Sequence, residues 1–325
     1  MLLGDLLELR HGPLRDALGA AEQALREIGA ALGRGREAIV LTGNHDHALF
    51  DGWAARRDLE RSPADLGRQA AVRWLDGDAM AHVAALLAPA TVRAAYPGVW
   101  LRHDVYATHG HYLDLHLTVP TLERLATGVM RRVAALDTGG PRRAEDYELV
   151  LAPLYAWIHA LAQRVGPERG ELMHGGSVRG WRALTDGRRH GVRRRAAAAA
   201  WPVAVAALNA LRLGPLRPEL SGAELRRAGL RAMAEVVERL GVGAEWVIFG
   251  HTHRAGPLEG DDPSEWRAAA APGSPGPGAR LVNCGCWVRD PAFLGPEPAR
   301  SPYRPGFCAI VEDDGPPRLV NLLDD

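Results

Sequence analysis

Short apolar runs along the chain break off abruptly at Gly, Asn, Asp or His. Leu2-Leu3 stops at Gly4-Asp5, Ala38 to Thr42 at Gly43-Asn44-His45-Asp46, and Val105 to Thr108 at His109-Gly110-His111. Trp246 to Phe249 stops at Gly250-His251-Thr252-His253, and Leu281-Val282 at Asn283-Cys284-Gly285. Runs of this kind read as buried strands feeding polar loops. In open α/β sheets ligands sit beyond the carboxyl ends of the strands, so these loops are expected to converge on one site. Between the first two runs Leu14, Leu18, Ala21, Leu25, Ile28 and Leu32 alternate steps of four and three, which predicts an amphipathic helix and a βαβ unit. Ser62-Pro63-Ala64-Asp65 combines an N-cap residue, a proline at the first helical position and a first-turn acid, which predicts a further helix start.

From residue 112 the strand-like runs give way to helical spacing. Tyr147, Leu151, Leu154, Ile158, Leu161 and Val165 form one stripe, and Ser221-Gly222-Ala223-Glu224 spells a capping box ahead of a second. The expected organisation is a core in two parts, 1–111 and 244–325, interrupted by a helical insertion or cap over 112–243. Gly256 to Ala279 and Pro291 to Gly306 read as long loops, and the tail around Asp314-Gly315-Pro316 as a final hairpin. Ala196 to Leu208 is too short to span a bilayer and contains Pro202. No transmembrane helix is expected, and the N-terminus lacks the regions of a signal peptide.

Composition narrows the function. With 325 residues, 47% hydrophobic and 24% charged, the chain can bury a sizeable core and is not of the disordered class. Lys+Arg and Asp+Glu both number 39, so no overall attraction to nucleic acid is expected. A nuclease would need a local basic groove. Three cysteines argue against a disulfide framework and for a reducing, cytoplasmic setting.

The remaining signal is histidine, present 13 times, with several copies at the strand ends beside Asp5 and Asn44. Alone, each is more often a packing residue; as a set at successive strand ends they suit divalent Mn, Fe, Ni or Zn. Two such ions sharing a carboxylate can generate a hydroxide that attacks a phosphoryl group in line.

In order, Gly4-Asp5-Leu6-Leu7-Glu8, Gly43-Asn44-His45-Asp46, His109-Gly110-His111 and Gly250-His251-Thr252-His253 resemble the motifs of the calcineurin-like metallophosphoesterases. The resemblance covers roughly 1–111 and 244–325 and implies a two-sheet αββα sandwich of the α/β class, here with a mostly helical insertion. It implies a metal-dependent hydrolase acting on a phosphomonoester, phosphodiester or pyrophosphate bond through a metal-activated hydroxide. Asp5 would bridge two divalent ions, Asn44, His109 and His251 would complete one site, and His253 would serve the other. His45, paired with Glu8, would stabilise charge or protonate the leaving oxygen, and Asp46 would support its loop. Arg10, His111 and Asp114 follow these motifs closely enough to reach substrate. Asn283-Cys284-Gly285-Cys286-Trp287 resembles a packing strand of the family, with Cys286 structural.

The family's Asp-x-His motif belongs some tens of residues before Gly4-Asp5, where this sequence has only Met1-Leu2-Leu3. Asp5 and His253 would then be the only protein ligands of the second ion, so two divalent ions are expected, or one alone in the chain as given. Two readings stand, a start placed too far downstream, which is favoured, or a shortened, catalytically impaired relative acting as a binding module. Gly-Asp-x-x-Glu with His-Gly-x-x-x-Asp also resembles the branch of the UDP-diacylglucosamine pyrophosphohydrolases. That implies a small phosphorylated or lipid-linked substrate and leaves peripheral membrane contact open. The arginines at 188, 189 and 193 to 195, ahead of an apolar segment, fit such contact, although a buried cap helix with a solvated arginine end is preferred two to one.

Overall fold

The computed structural model describes residues 1–134, 139–163, 192–211, 213–219, 221–269 and 278–324. The chain is of the mixed α/β class, with two principal sheets and helices packed on them. The first sheet contains β1 (Leu2–Leu3), β2 (Glu37–Leu41), β4 (Thr91–Tyr96) and β3 (Ala70–Val72), in that spatial order. β1, β2 and β4 run parallel and β3 antiparallel. The second runs β5 (Gly98–Arg102), β6 (Val105–Thr108), β7 (Trp246–Phe249), β9 (Arg280–Cys284), β8 (Ala255–Gly256). Its three central strands, β6, β7 and β9, are parallel.

Side chains alternate along the strands between two cores. On β2, Ala38 and Val40 join the helix-facing core, while Ile39 and Leu41 join a cluster with Ala95, Val99, Val105, Ala107, Ile248 and Val282 drawn from both sheets. This period of two lets one five-residue strand serve both layers. Each fully buried Val or Leu contributes about 1.5–3 kcal/mol.

The expected amphipathic helix is α1 (Leu14–Leu32), with Leu25 buried and the other stripe residues partly so. Helices α2 (Asp51–Asp58), α3 (Ala79–Leu86), α4 (Leu122–Val133) and α5 (Ala144–Ala162) follow. Two more span Val192–Ala210 and Gly222–Arg239, the latter capped by Ser221, whose Oγ accepts from the Glu224 amide at 3.1 Å. The tail forms the expected antiparallel hairpin, β10 (Phe307–Ile310) with β11 (Arg318–Asn321).

No helix begins at Ser62-Pro63. That segment is irregular because its neighbours satisfy its backbone: Arg57 donates to the Ala64 carbonyl, and the Leu66 amide donates to Glu145 on α5 while the Leu66 side chain is buried. Among the described residues no helix is long and apolar enough to cross a membrane. Val165, His174, Arg188, Arg189, His190 and the middle of the Gly256 to Ala279 stretch lie outside the described residues, as do the side chains of Arg193 to Arg195.

Candidate metal centre

Parallel β1 and β2 deliver Gly4-Asp5 and Gly43-Asn44-His45 side by side, and parallel β6 and β7 do the same for His109 and His251. Asp5, His251 and His253 have positive φ, at 52°, 63° and 61°. For residues other than glycine this region costs on the order of 1–3 kcal/mol each and is held only where the surroundings impose it. Between them Gly43 is required by space, since a Cβ there would lie 2.2 Å from Asp5 Oδ1 and 2.5 Å from His109 Nε2.

Asp5, His109 and His251 bring ligand atoms within 4.8 Å of one another. Hydrogen bonding fixes their lone pairs. His109 Nδ1 lies 2.9 Å from the Leu3 carbonyl oxygen, which can only accept, so Nδ1 carries the proton. In the neutral ring Nε2 is then bare, yet it lies 3.2 Å from Asp5 Oδ2, another acceptor, and is buried with no hydrogen-bond partner. His251 repeats the pattern. Its Nε2 donates to Asp114 Oδ1 at 2.8 Å, leaving Nδ1 to face the Asn44 Oδ1 acceptor at 3.1 Å. Acceptor facing acceptor is repulsive unless a cation lies between, so the donor set fits a divalent ion of intermediate hardness. A second proton on His109 does part of that work: burial opposes it, but Asp5 outweighs burial and raises the imidazole above its ordinary range. Burial likewise opposes ionisation of Asp5, and His109, His45 and His251 overcome it, holding the carboxyl well below the usual carboxylate range.

His253 lies outside that tightest group. Burial and the neighbouring His251 lower it to about 4, so it stays neutral and keeps a lone pair at neutral pH. The His45 amide donates to Asp5 Oδ1 at 2.9 Å. Its ring bonds Glu8 through Nδ1, and Arg10 Nη1 lies 3.3 Å from Nε2. Burial disfavours charge on His45, but the Glu8 hydrogen bond and Asp5 raise it overall, and bonds from His11 and His45 outweigh burial to lower Glu8. Asp46 supports two loops at once, accepting from the Gly43, Asp5 and Leu6 amides at 2.7, 3.1 and 2.7 Å. Burial and nearby Asp5 push it up to about 6.

The hydrogen bond of His111 leads outside this cluster, although its ring centroid is 5.7 Å from that of His109. Tyr96 and Tyr112 both donate to Glu148 Oε1, so His111 Nε2 donates to the Tyr96 oxygen at 3.1 Å and Nδ1 is left bare. His47 Nε2 donates to the other Glu148 oxygen at 3.2 Å. Glu148 and Tyr155, both on α5, were not expected from the sequence. Their signal is a carboxylate and a phenol on the helix face that carries Tyr147, Leu151 and Leu154. Cys286 donates to the Val288 carbonyl, and burial raises its thiol, in keeping with a structural role. His159 Nδ1 donates to the Leu9 carbonyl at 3.1 Å, tying α5 to the segment after β1.

Comparison with protein-family models, with curated proteins and with solved structures gives no match to this chain.

Proposed function

We propose that this chain is a metal-dependent phosphoesterase that hydrolyses a phosphomonoester, phosphodiester or pyrophosphate bond in a small phosphorylated or lipid-linked substrate. The observation that carries the reading is the convergence of ligand atoms of Asp5, His109 and His251 within 4.8 Å of one another, with His251 Nδ1 turned to the Asn44 oxygen by the bond of its Nε2 to Asp114. Support comes also from the order of the four motifs and from the two-layer alternation of β2, which fits an αββα sandwich. Asp5, Asn44, His109 and His251 would hold one ion, and Asp5 with His253 would face a second. Bound divalent ions supply a nucleophile at neutral pH and electrophilic activation of the phosphoryl group. His45 holds a proton at Nε2 for the leaving oxygen, while Glu8 accepts from Nδ1 and fixes the ring. Three free thiols fit a cytoplasmic place of action.

The test is bound manganese per chain, by plasma mass spectrometry, together with hydrolysis of p-nitrophenyl phosphate and its bis ester. The wild-type chain is expected to hold manganese and turn over one of these esters. Asp5→Ala is expected to lose both while keeping its circular dichroism spectrum. Turnover by the Asp5 variant, or a folded wild-type chain that takes up no metal, would sink the reading.

A further inference from the structure

Beside the metal cluster Arg10 Nε and the Tyr155 hydroxyl are buried hydrogen-bond donors with no acceptor among the described residues. Arg10 stands at the end of the first motif loop. Its Nη1 touches His45 Nε2 at 3.3 Å, and its Nη2 is 3.8 Å from Glu123 Oε1, beyond hydrogen-bonding distance. Tyr155 comes from the opposite direction, on α5, and is 6% exposed. Its ring centroid lies 5.3 Å from that of His47 and 5.9 Å from that of His111.

The charges acting on the Tyr155 hydroxyl are those of Asp114, Glu148, Arg10 and Asp5. His159, one turn further along α5, donates to the Leu9 carbonyl at 3.1 Å, which sets the Tyr155 turn of that helix against the first motif loop that carries Arg10. The nearby carboxylates are already engaged: Glu148 accepts from Tyr96, Tyr112 and His47, Asp114 accepts from His251, and Asp5 faces His45 and His109. A buried donor without an acceptor is costly, and two around one space point to a shared acceptor oxygen. A guanidinium as one of the two selects an oxygen that carries negative charge.

We propose that Arg10 and Tyr155 form a subsite for an anionic oxygen of the substrate's phosphoryl group, on the side of the cluster where His45 meets the leaving oxygen. This inference rests on the phosphoesterase reading. It gives the helical segment a direct part in binding: a phenol from α5 and a guanidinium from the first motif loop grip the same oxyanion. Charge-assisted donors aimed at such an oxygen also stabilise charge that grows there during the reaction.

The probe is inorganic phosphate, titrated calorimetrically into the full-length manganese-loaded chain, with manganese affinity measured separately by the paramagnetic resonance of the free ion. Tyr155→Phe removes one oxygen atom and keeps the ring, and Arg10→Gln keeps a donor but removes the charge. Both variants are expected to bind manganese within twofold of wild type and to bind phosphate at least tenfold more weakly. Unchanged phosphate affinity in both variants, or no phosphate binding by a manganese-loaded wild type, would overturn the subsite. In the first case the phenol proton belongs to the bare Nδ1 of His111. If wild type binds no manganese, the phosphoesterase reading fails. The same titration on the metal-free chain then decides the subsite, which stands only if phosphate binds and Tyr155→Phe weakens it.

Discussion

Asp114 Oδ1 accepts the Nε2 proton of His251 at 2.8 Å and thereby turns the other nitrogen of the same ring, bare, toward Asn44. A carboxylate behind a ligating histidine fixes its tautomer and raises its basicity, and loss of such a partner costs about 10–100-fold in metal affinity. Asp114→Asn keeps an acceptor but loses the charge, so about a tenfold rise in the manganese dissociation constant is expected. Titration followed by the resonance of free manganese checks this, and an unchanged constant would show that Asp114 does not act through the ring.

Glu8 governs the proton on His45. Burial alone would lower His45, and the Glu8 hydrogen bond, with Asp5, reverses that. Glu8→Gln is therefore expected to lower the His45 value. An acid must be protonated to act, so the alkaline limb of the kcat profile should move to lower pH, with a smaller maximum. A full pH profile of wild type and variant at saturating manganese makes the comparison, and an unshifted limb would remove His45 from the proposed role of acid.

His116 makes a prediction about stability. Burial, reinforced by Arg239, Arg124 and Arg131, lowers it from 6.5 to about 3, and its Nε2 meets the Tyr147 hydroxyl at 2.8 Å. The unfolded chain takes up this proton near pH 6.5 and the folded chain only near pH 3, so between those values the unfolded state binds more protons. The stability contributed by neutral His116 is fully present above pH 6.5 and is lost as pH falls, with a slope of about 1.4 kcal/mol per pH unit. Urea unfolding from pH 7 to pH 4 should show the stability of wild type falling relative to that of His116→Gln by about 1.4 kcal/mol per pH unit below pH 6.5. A difference constant with pH would mean that His116 titrates normally in the fold.

Much of the site was readable because its residues are local to strand ends. Asp5, Asn44, His45, His109 and His251 each follow an apolar run that forms the expected strand, and parallel pairing does the rest. Strands β4 and β5 carried no polar stop signal and escaped notice, although β4 places Tyr96 in the network around Glu148. That network could not be read from spacing. Its members come from positions 47, 96, 111, 112 and 148, and only tertiary packing makes one buried carboxylate their common acceptor. Ser62-Pro63 failed for the opposite reason. Its local preference for a helix start was overruled by Glu145, 79 positions from its partner Leu66, which takes the amide that the helix would have used.

The left-handed backbone at Asp5, His251 and His253 puts chemistry and comfort at odds in three places. Glycine would sit more easily at each of them, at the loss of the side chain and, for Asp5, of the bond its Oδ1 accepts from the His45 amide. Ease of the backbone does not account for three such side chains in one cluster, and it is there that a demand other than chain geometry is to be sought.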